Sequence, residues 1–140
     1  MTEPTTSERT VPLVEGLFTA PATDGTTRLL ASRCTACGET FFPPRSICAA
    51  CSHRSLAPAE LGPEGTLRTY TIVRDGGGRP DFRPFAVAQV DFGLVRAQGP
   101  LDVDDYARIA FDMAVEAYVR PVGKTDDGAV QVSYAFRPKA

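Results

Sequence analysis

Two Cys-x-x-Cys pairs, Cys34/Cys37 and Cys48/Cys51, hold every cysteine of the chain and are separated by ten residues. A Cys-x-x-Cys turn brings two sulfurs to one side of a tight bend, and two such turns facing each other enclose a tetrahedral S4 cage suited to Zn²⁺. The spacer is shorter than the usual zinc spacing allows, which implies a compact ribbon whose short hairpin bridges the two knuckles. Three other uses of the same residues stay open: disulfides, a redox dithiol and an iron centre. Disulfides fit poorly, because no apolar signal segment precedes the cysteines. A redox pair needs a strand running into a helix, whereas Gly38 and Phe41-Phe42-Pro43-Pro44 spell turn and extended chain. Zinc bound by Cys34, Cys37, Cys48 and Cys51 would be coordinatively closed, and so structural rather than catalytic.

Bulk properties narrow the classes further. With 140 residues and a formal net charge of −2, the chain has the size of one domain and no overall attraction for nucleic acid or anionic membrane. Its apolar runs are interrupted by Arg, Asp or Gly well short of the roughly 20 residues that a membrane span requires. The expectation is a soluble, cytoplasmic protein. Twelve prolines and twelve glycines, placed mostly between apolar alternations, favour short strands over a helical bundle.

Along the chain, residues 1–10 carry Thr, Ser, Glu and Pro with almost nothing apolar, and read as a flexible tail. Val11, Val14, Leu17 and Phe18 then recur at helical spacing, with Pro12 in the first turn, which predicts a short N-terminal helix. Thr26 to Ser32 reads as a strand entering the first knuckle, and residues 11–61 as one unit of helix and metal ribbon. From residue 62 onward the period changes to two. Extended segments are predicted at Leu67 to Val73, Phe85 to Phe92, Leu94 to Gln98, Met113 to Val122 and Ala129 to Arg137, with Asp91-Phe92-Gly93 turning the second into the third. Five strands with short connections suggest a small antiparallel barrel, and Greek-key closure of the OB type protects their edges. The predicted fold is therefore mainly β: an N-terminal helix, a metal ribbon, and a five-stranded antiparallel OB-fold barrel over 62–140.

The run Arg33-Cys34-Thr35-Ala36-Cys37-Gly38, Phe41-Phe42-Pro43-Pro44-Arg45 and Cys48-Ala49-Ala50-Cys51, followed by Gly65-Thr66-Leu67 and Tyr70-Thr71-Ile72-Val73, resembles the small zinc-ribbon/OB-fold proteins that accompany thiolase-like enzymes of acyl-CoA metabolism. Tyr134-Ala135-Phe136-Arg137-Pro138 resembles that family's C-terminus. The resemblance implies a rubredoxin-like zinc ribbon. It also implies an accessory subunit in a hetero-oligomer with a sterol-carrier-type thiolase, an aldolase or an acyltransferase, including aldolases of steroid or fatty-acid side-chain degradation. Two departures stand out. Ser52-His53-Arg54 occupies a region where many members have a glycine, and Ile109-Ala110-Phe111-Asp112-Met113-Ala114-Val115 stands where the family commonly has an Ile-Gly-Met-Pro-Val-like turn.

Candidate chemistry outside the cage is thin. A nucleophile needs an adjacent base, yet the cysteines are committed to metal and His53 is the single histidine, so no catalytic residue is assigned. His53 reads as a surface residue near the knuckle. Asp102, Asp104 and Asp105 lack the further ligands of a calcium loop and read as a turn and helix cap. Gly76-Gly77-Gly78 lacks the Lys-Ser/Thr of a phosphate loop and reads as a mobile connection. Arg74, Arg79 and Arg83 flank it, either as a solubilising rim or as contacts for a partner's acidic groups or CoA phosphates. Phe41 and Phe42 are expected to pack the ribbon onto the barrel, and Phe82 to meet a partner. The functional expectation is a non-catalytic support for a thiolase-like enzyme. The alternative is an OB-fold binder of single-stranded nucleic acid, which the acidic balance and the presence of only two lysines, Lys124 and Lys139, disfavour.

Overall fold

Side-chain alternation sets the architecture. In a computed structural model, which describes residues 9–139, the chain forms β1 (Thr10–Pro12), β2 (Leu29–Cys34), β3 (Thr40–Phe41), β4 (Leu56–Leu61), β5 (Glu64–Val73), β6 (Phe85–Asp91), β7 (Arg96–Leu101), β8 (Ala114–Lys124) and β9 (Val130–Pro138), with a 3₁₀ turn at Tyr106–Arg108. Antiparallel ladders join β5 to β6 and β8, β6 to β7, and β8 to β9. A parallel contact between Leu101 of β7 and Phe136 of β9 closes the ring. The expected five-stranded barrel is thus present, antiparallel everywhere except at this closing seam, with OB-type closure.

So narrow a barrel needs small residues inside. Ala86, Ala88, Ala97 and Ala117 are buried, which leaves room for Leu67, Val90, Val115 and above all Phe136, whose ring is fully enclosed. Gly99 shows how tight the fit is. A Cβ added there would lie 2.7 Å from the Tyr134 ring and 3.0 Å from that of Phe136.

The ribbon is a three-stranded sheet in the order β3-β2-β4. Leu29, Ala31 and Leu61 on its inner face belong to the same buried cluster as Leu67 and Phe136, so ribbon and barrel share one core. Backbone bonds from Thr27 N to Ala117 O (3.0 Å) and from Val119 N to Gly25 O (3.0 Å) stitch the approach to β2 onto β8.

The predicted N-terminal helix is not formed. Thr10 to Pro12 instead pair in parallel with Val130 to Val132 of β9, and Leu17 accepts from Leu30 N at 2.8 Å. Four apolar positions are too few to overcome helix nucleation, Gly16 sits at φ 84°, and two neighbouring strands offer ready hydrogen bonds. Residues 1–8, most of the segment expected to be a tail, lie outside the described residues. Arg9 binds Asp127 at 2.7 Å. At the corner where the family commonly carries Gly and Pro, Asp112 itself adopts φ 66°, its N–H donating to Leu67 O (2.8 Å) and its carboxylate held by Arg68. Among the described residues no helix is long and apolar enough to cross a membrane.

Candidate metal centre

Each knuckle is built by the same backbone scheme. In the first, Cys34 N donates to Glu39 O (2.8 Å) and Gly38 N to Cys34 O (3.0 Å); in the second, Cys48 N donates to His53 O (2.8 Å) and Ser52 N to Cys48 O (2.8 Å). The residue after each pair is left-handed, Gly38 at φ 81° and Ser52 at φ 67°, which turns the chain sharply enough to face both sulfurs inward. Two related turns meeting head-on bring all four Sγ atoms within 4.8 Å of one another.

Cys34 Sγ lies 3.6 Å from Cys51 Sγ, and Cys37 Sγ lies 3.6 Å from Cys48 Sγ. The edge of a tetrahedron with metal–sulfur bonds near 2.3 Å is about 3.8 Å, so the donor set fits a four-coordinate metal. Both distances are far beyond the S–S bond length of about 2.05 Å, so the four thiols are free rather than bridged.

Amide N–H groups point at the sulfurs as they do around thiolate ligands. Cys37 N (3.5 Å) and Ala36 N (3.4 Å) donate to Cys34 Sγ, and Ala50 N (3.3 Å) to Cys48 Sγ. The Cys37 amide, aided by that of Ala36, holds the Cys34 thiol down to about 6 against desolvation that raises it. Cys51 goes the other way: although the His53 amide favours its thiolate, desolvation and the neighbouring sulfurs push it up to about 12. Four thiolates this close repel one another, and a bound cation is what lets all of them ionise. Cys34 and Cys48 are buried, whereas Cys37 and Cys51 are exposed.

Supporting residues escaped the sequence reading. Thr35 Oγ1 donates to Ser55 O (2.8 Å), tying the first knuckle to the entrance of β4, and Arg45 N donates to Ser32 Oγ (2.8 Å), fixing the spacer. Hydroxyl residues flanking a knuckle are the only signal that could have pointed to them. His53 contributes its carbonyl, and its side chain is not among the groups that converge on the sulfurs.

The remaining candidates go to separate places. Asp105 caps the 3₁₀ turn by accepting from Ala107 N (3.0 Å), as a helix-cap reading predicts. Asp104 pairs with Arg108, and Asp102 accepts from Tyr118 Oη and from Arg120 (3.0 Å), so the three carboxylates do not converge. Phe42 packs on Tyr134 of the barrel, while Phe41 carries the Arg45 guanidinium 5.3 Å over its ring. Phe82, expected to meet a partner, is half-buried over Gly76, where a Cβ would lie 2.1 Å from its ring.

Family comparison agrees with this architecture. Residues 26–57 match the ChsH2 rubredoxin-like zinc ribbon domain, and residues 59–120 match the ChsH2 C-terminal OB-fold domain. The chain belongs to the ChsH2 family. It is 28% identical to the DUF35 domain-containing scaffold protein of Methanothermobacter thermautotrophicus over 79% of this chain and 86% of that one. A DUF35 domain-containing scaffold protein of Methanocaldococcus jannaschii is also 28% identical, over 79% of this chain and 81% of that one. Among solved structures, the Ltp2-ChsH2(DUF35) aldolase shares the fold, with a TM-score of 0.60 and 24% identity over 79% of this chain and 84% of that one. Within this ChsH2-family chain the four cysteines lie in the matched ribbon, close enough together to hold a metal ion, and the barrel is the OB domain.

Proposed function

We propose that this chain is a non-catalytic accessory subunit that binds and supports a thiolase-like enzyme acting on acyl-CoA thioesters, with Zn²⁺ as the structural metal of the Cys34, Cys37, Cys48 and Cys51 cage. The observation that carries the reading is the closed donor set. Four sulfurs satisfy a tetrahedral ion and leave no position for substrate, so bound zinc supplies cross-linking rather than Lewis acidity. The bound cation keeps the sulfurs anionic, with the knuckle amides donating to those of Cys34 and Cys48, and the exposed faces of the ribbon and barrel are left to meet another chain.

Two curated relatives are named scaffold proteins, and a solved structure of the same fold is named the Ltp2-ChsH2(DUF35) aldolase. Carried to this chain, those names support a hetero-oligomer whose nucleophile or base belongs to the partner. An aldolase of steroid or fatty-acid side-chain degradation is the partner that fits best.

Co-expression with a thiolase-fold protein encoded beside it tests the proposal. The expected result is a stoichiometric complex with about one zinc per chain and thioester chemistry that requires both polypeptides. Thioester turnover by this chain alone would overturn it.

A further inference from the structure

The connection between β5 and β6 is an arginine-bearing loop that its own packing holds in shape. Gly76 leaves the space that the Phe82 ring fills, Phe82 meets Phe85 edge-on at 6.1 Å, and Tyr106 Oη donates to Pro84 O at 2.9 Å. On this frame Arg74, Arg79 and Arg83 are exposed, and none has a carboxylate within ion-pair distance among the described residues. Arg9, Arg68, Arg108, Arg120, Arg137 and Lys139 are paired, whereas Arg28, Arg33, Arg45, Arg54, Arg96 and Lys124 also lack a carboxylate partner among the described residues; what sets this connection apart is that it carries three such arginines together. At the base of the loop Phe85 is 42% exposed. Exposed arginines and an accessible aromatic ring on one loop already ordered are the composition of a protein-docking hot spot.

The loop's amides argue against a phosphate ligand. A phosphate cradle needs a run of successive free N–H groups, and here the run is interrupted, with Gly77 N taken by the Asp75 carboxylate (2.9 Å), Arg79 N by Gly76 O and Phe82 N by Arg79 O. Asp75 and Asp81 also alternate with the arginines, which repels a compact polyanion yet suits an extended protein rim of mixed charge. We infer that this loop is a docking surface for the partner enzyme, with Arg74, Arg79 and Arg83 meeting carboxylates that rim an apolar contact for Phe85. The inference rests on the accessory-subunit reading.

The test uses the full chain and the co-expressed thiolase-fold protein, with association kinetics followed at low and high salt. R74E/R79E/R83E should slow association about tenfold or more and invert its salt dependence, because attraction at the rim becomes repulsion that salt screens. Phe85→Ser should speed dissociation. Leu94→Asp, at the opposite end of β6 and 66% exposed, is the control and should stay within about twofold of wild type. Unchanged metal content and melting temperature certify that each variant is folded. A wild-type complex that the triple variant forms equally well would sink the docking surface and leave the accessory reading standing. Failure of the wild type to form any complex would sink both. Arginine-dependent binding of coenzyme A or of an oligothymidylate by the free chain would reassign the loop to phosphate recognition and overturn the inference.

Discussion

Phe42, in the spacer between the knuckles, meets Tyr134 of the barrel edge-on, with ring centroids 5.7 Å apart and planes at 80°. Tyr134 in turn contacts Phe136 at 5.8 Å, and Phe136 contacts Phe92 at 6.1 Å. This file of rings runs from the metal ribbon into the barrel interior, so the ribbon's position depends on packing as well as on backbone bonds. Phe42→Ala should therefore cost about 2 kcal/mol, below the 3–5 of a fully enclosed ring because Phe42 is only half-buried. Denaturant unfolding of the metal-loaded protein measures it; a loss under about 0.5 kcal/mol would mean that the ring contact contributes nothing.

Removal of the metal should be felt throughout the chain. Leu29, Ala31 and Leu61 of the ribbon lie in one buried cluster with Leu67 and Phe136 of the barrel. Chelation, or Cys48→Ser, is expected to lower the melting temperature by more than about 10 °C and to reduce amide protection in β5 and β9 as well as in β2. Protection lost only between residues 29 and 61 would show that the barrel stands without the ribbon.

The matched knuckles make an internal comparison. Gly38 and Ser52 occupy the same left-handed position, but only Gly38 does so without steric cost. Ser52→Gly should stabilise the protein by about 1 kcal/mol, and Gly38→Ser, where an added Cβ meets only the Arg33 guanidinium at 3.5 Å, should destabilise it by a similar amount. Equal effects of the same sign would refute the equivalence.

Much of this organisation was readable from the residues, for reasons that differ by element. The cage was legible because Cys-x-x-Cys spacing alone positions the sulfurs, and the barrel because β5 to β9 keep a period of two. β4 was missed: Pro58 lies in its middle, and only the strand's place at the sheet edge, next to Ser32 of β2, makes that proline tolerable. β1 was misread as a helix, since three residues carry no pattern of their own and pair only because β9 is there. The order of the β5–β6 loop was equally hidden. Gly76 reads as freedom in a sequence and becomes a seat for Phe82 only once both are folded.

Alkaline pH offers a last test, at the barrel's closing seam. Tyr118 donates its hydroxyl to Asp102, the residue that follows β7, and the Arg137 guanidinium stacks 4.4 Å from the centre of its ring. Desolvation first, and then the Asp102 hydrogen bond and charge, push the Tyr118 phenol up to about 12. A raised folded-state value means that the protonated phenol is favoured by folding. Its contribution is complete below the unfolded value near 10 and is lost as pH rises through about 12. Stability should therefore hold up to about pH 10 and then fall. Burial raises Tyr134 as well, and the Glu64 hydrogen bond raises Lys139, so both act in the same direction. Tyr118→Phe should start from lower stability at neutral pH, having lost the Asp102 bond, and should then decline less steeply, with a residual slope from the other two groups. Denaturation midpoints taken across the alkaline range decide the matter, and a Phe variant with the wild-type slope would show that the phenol does not sense Asp102.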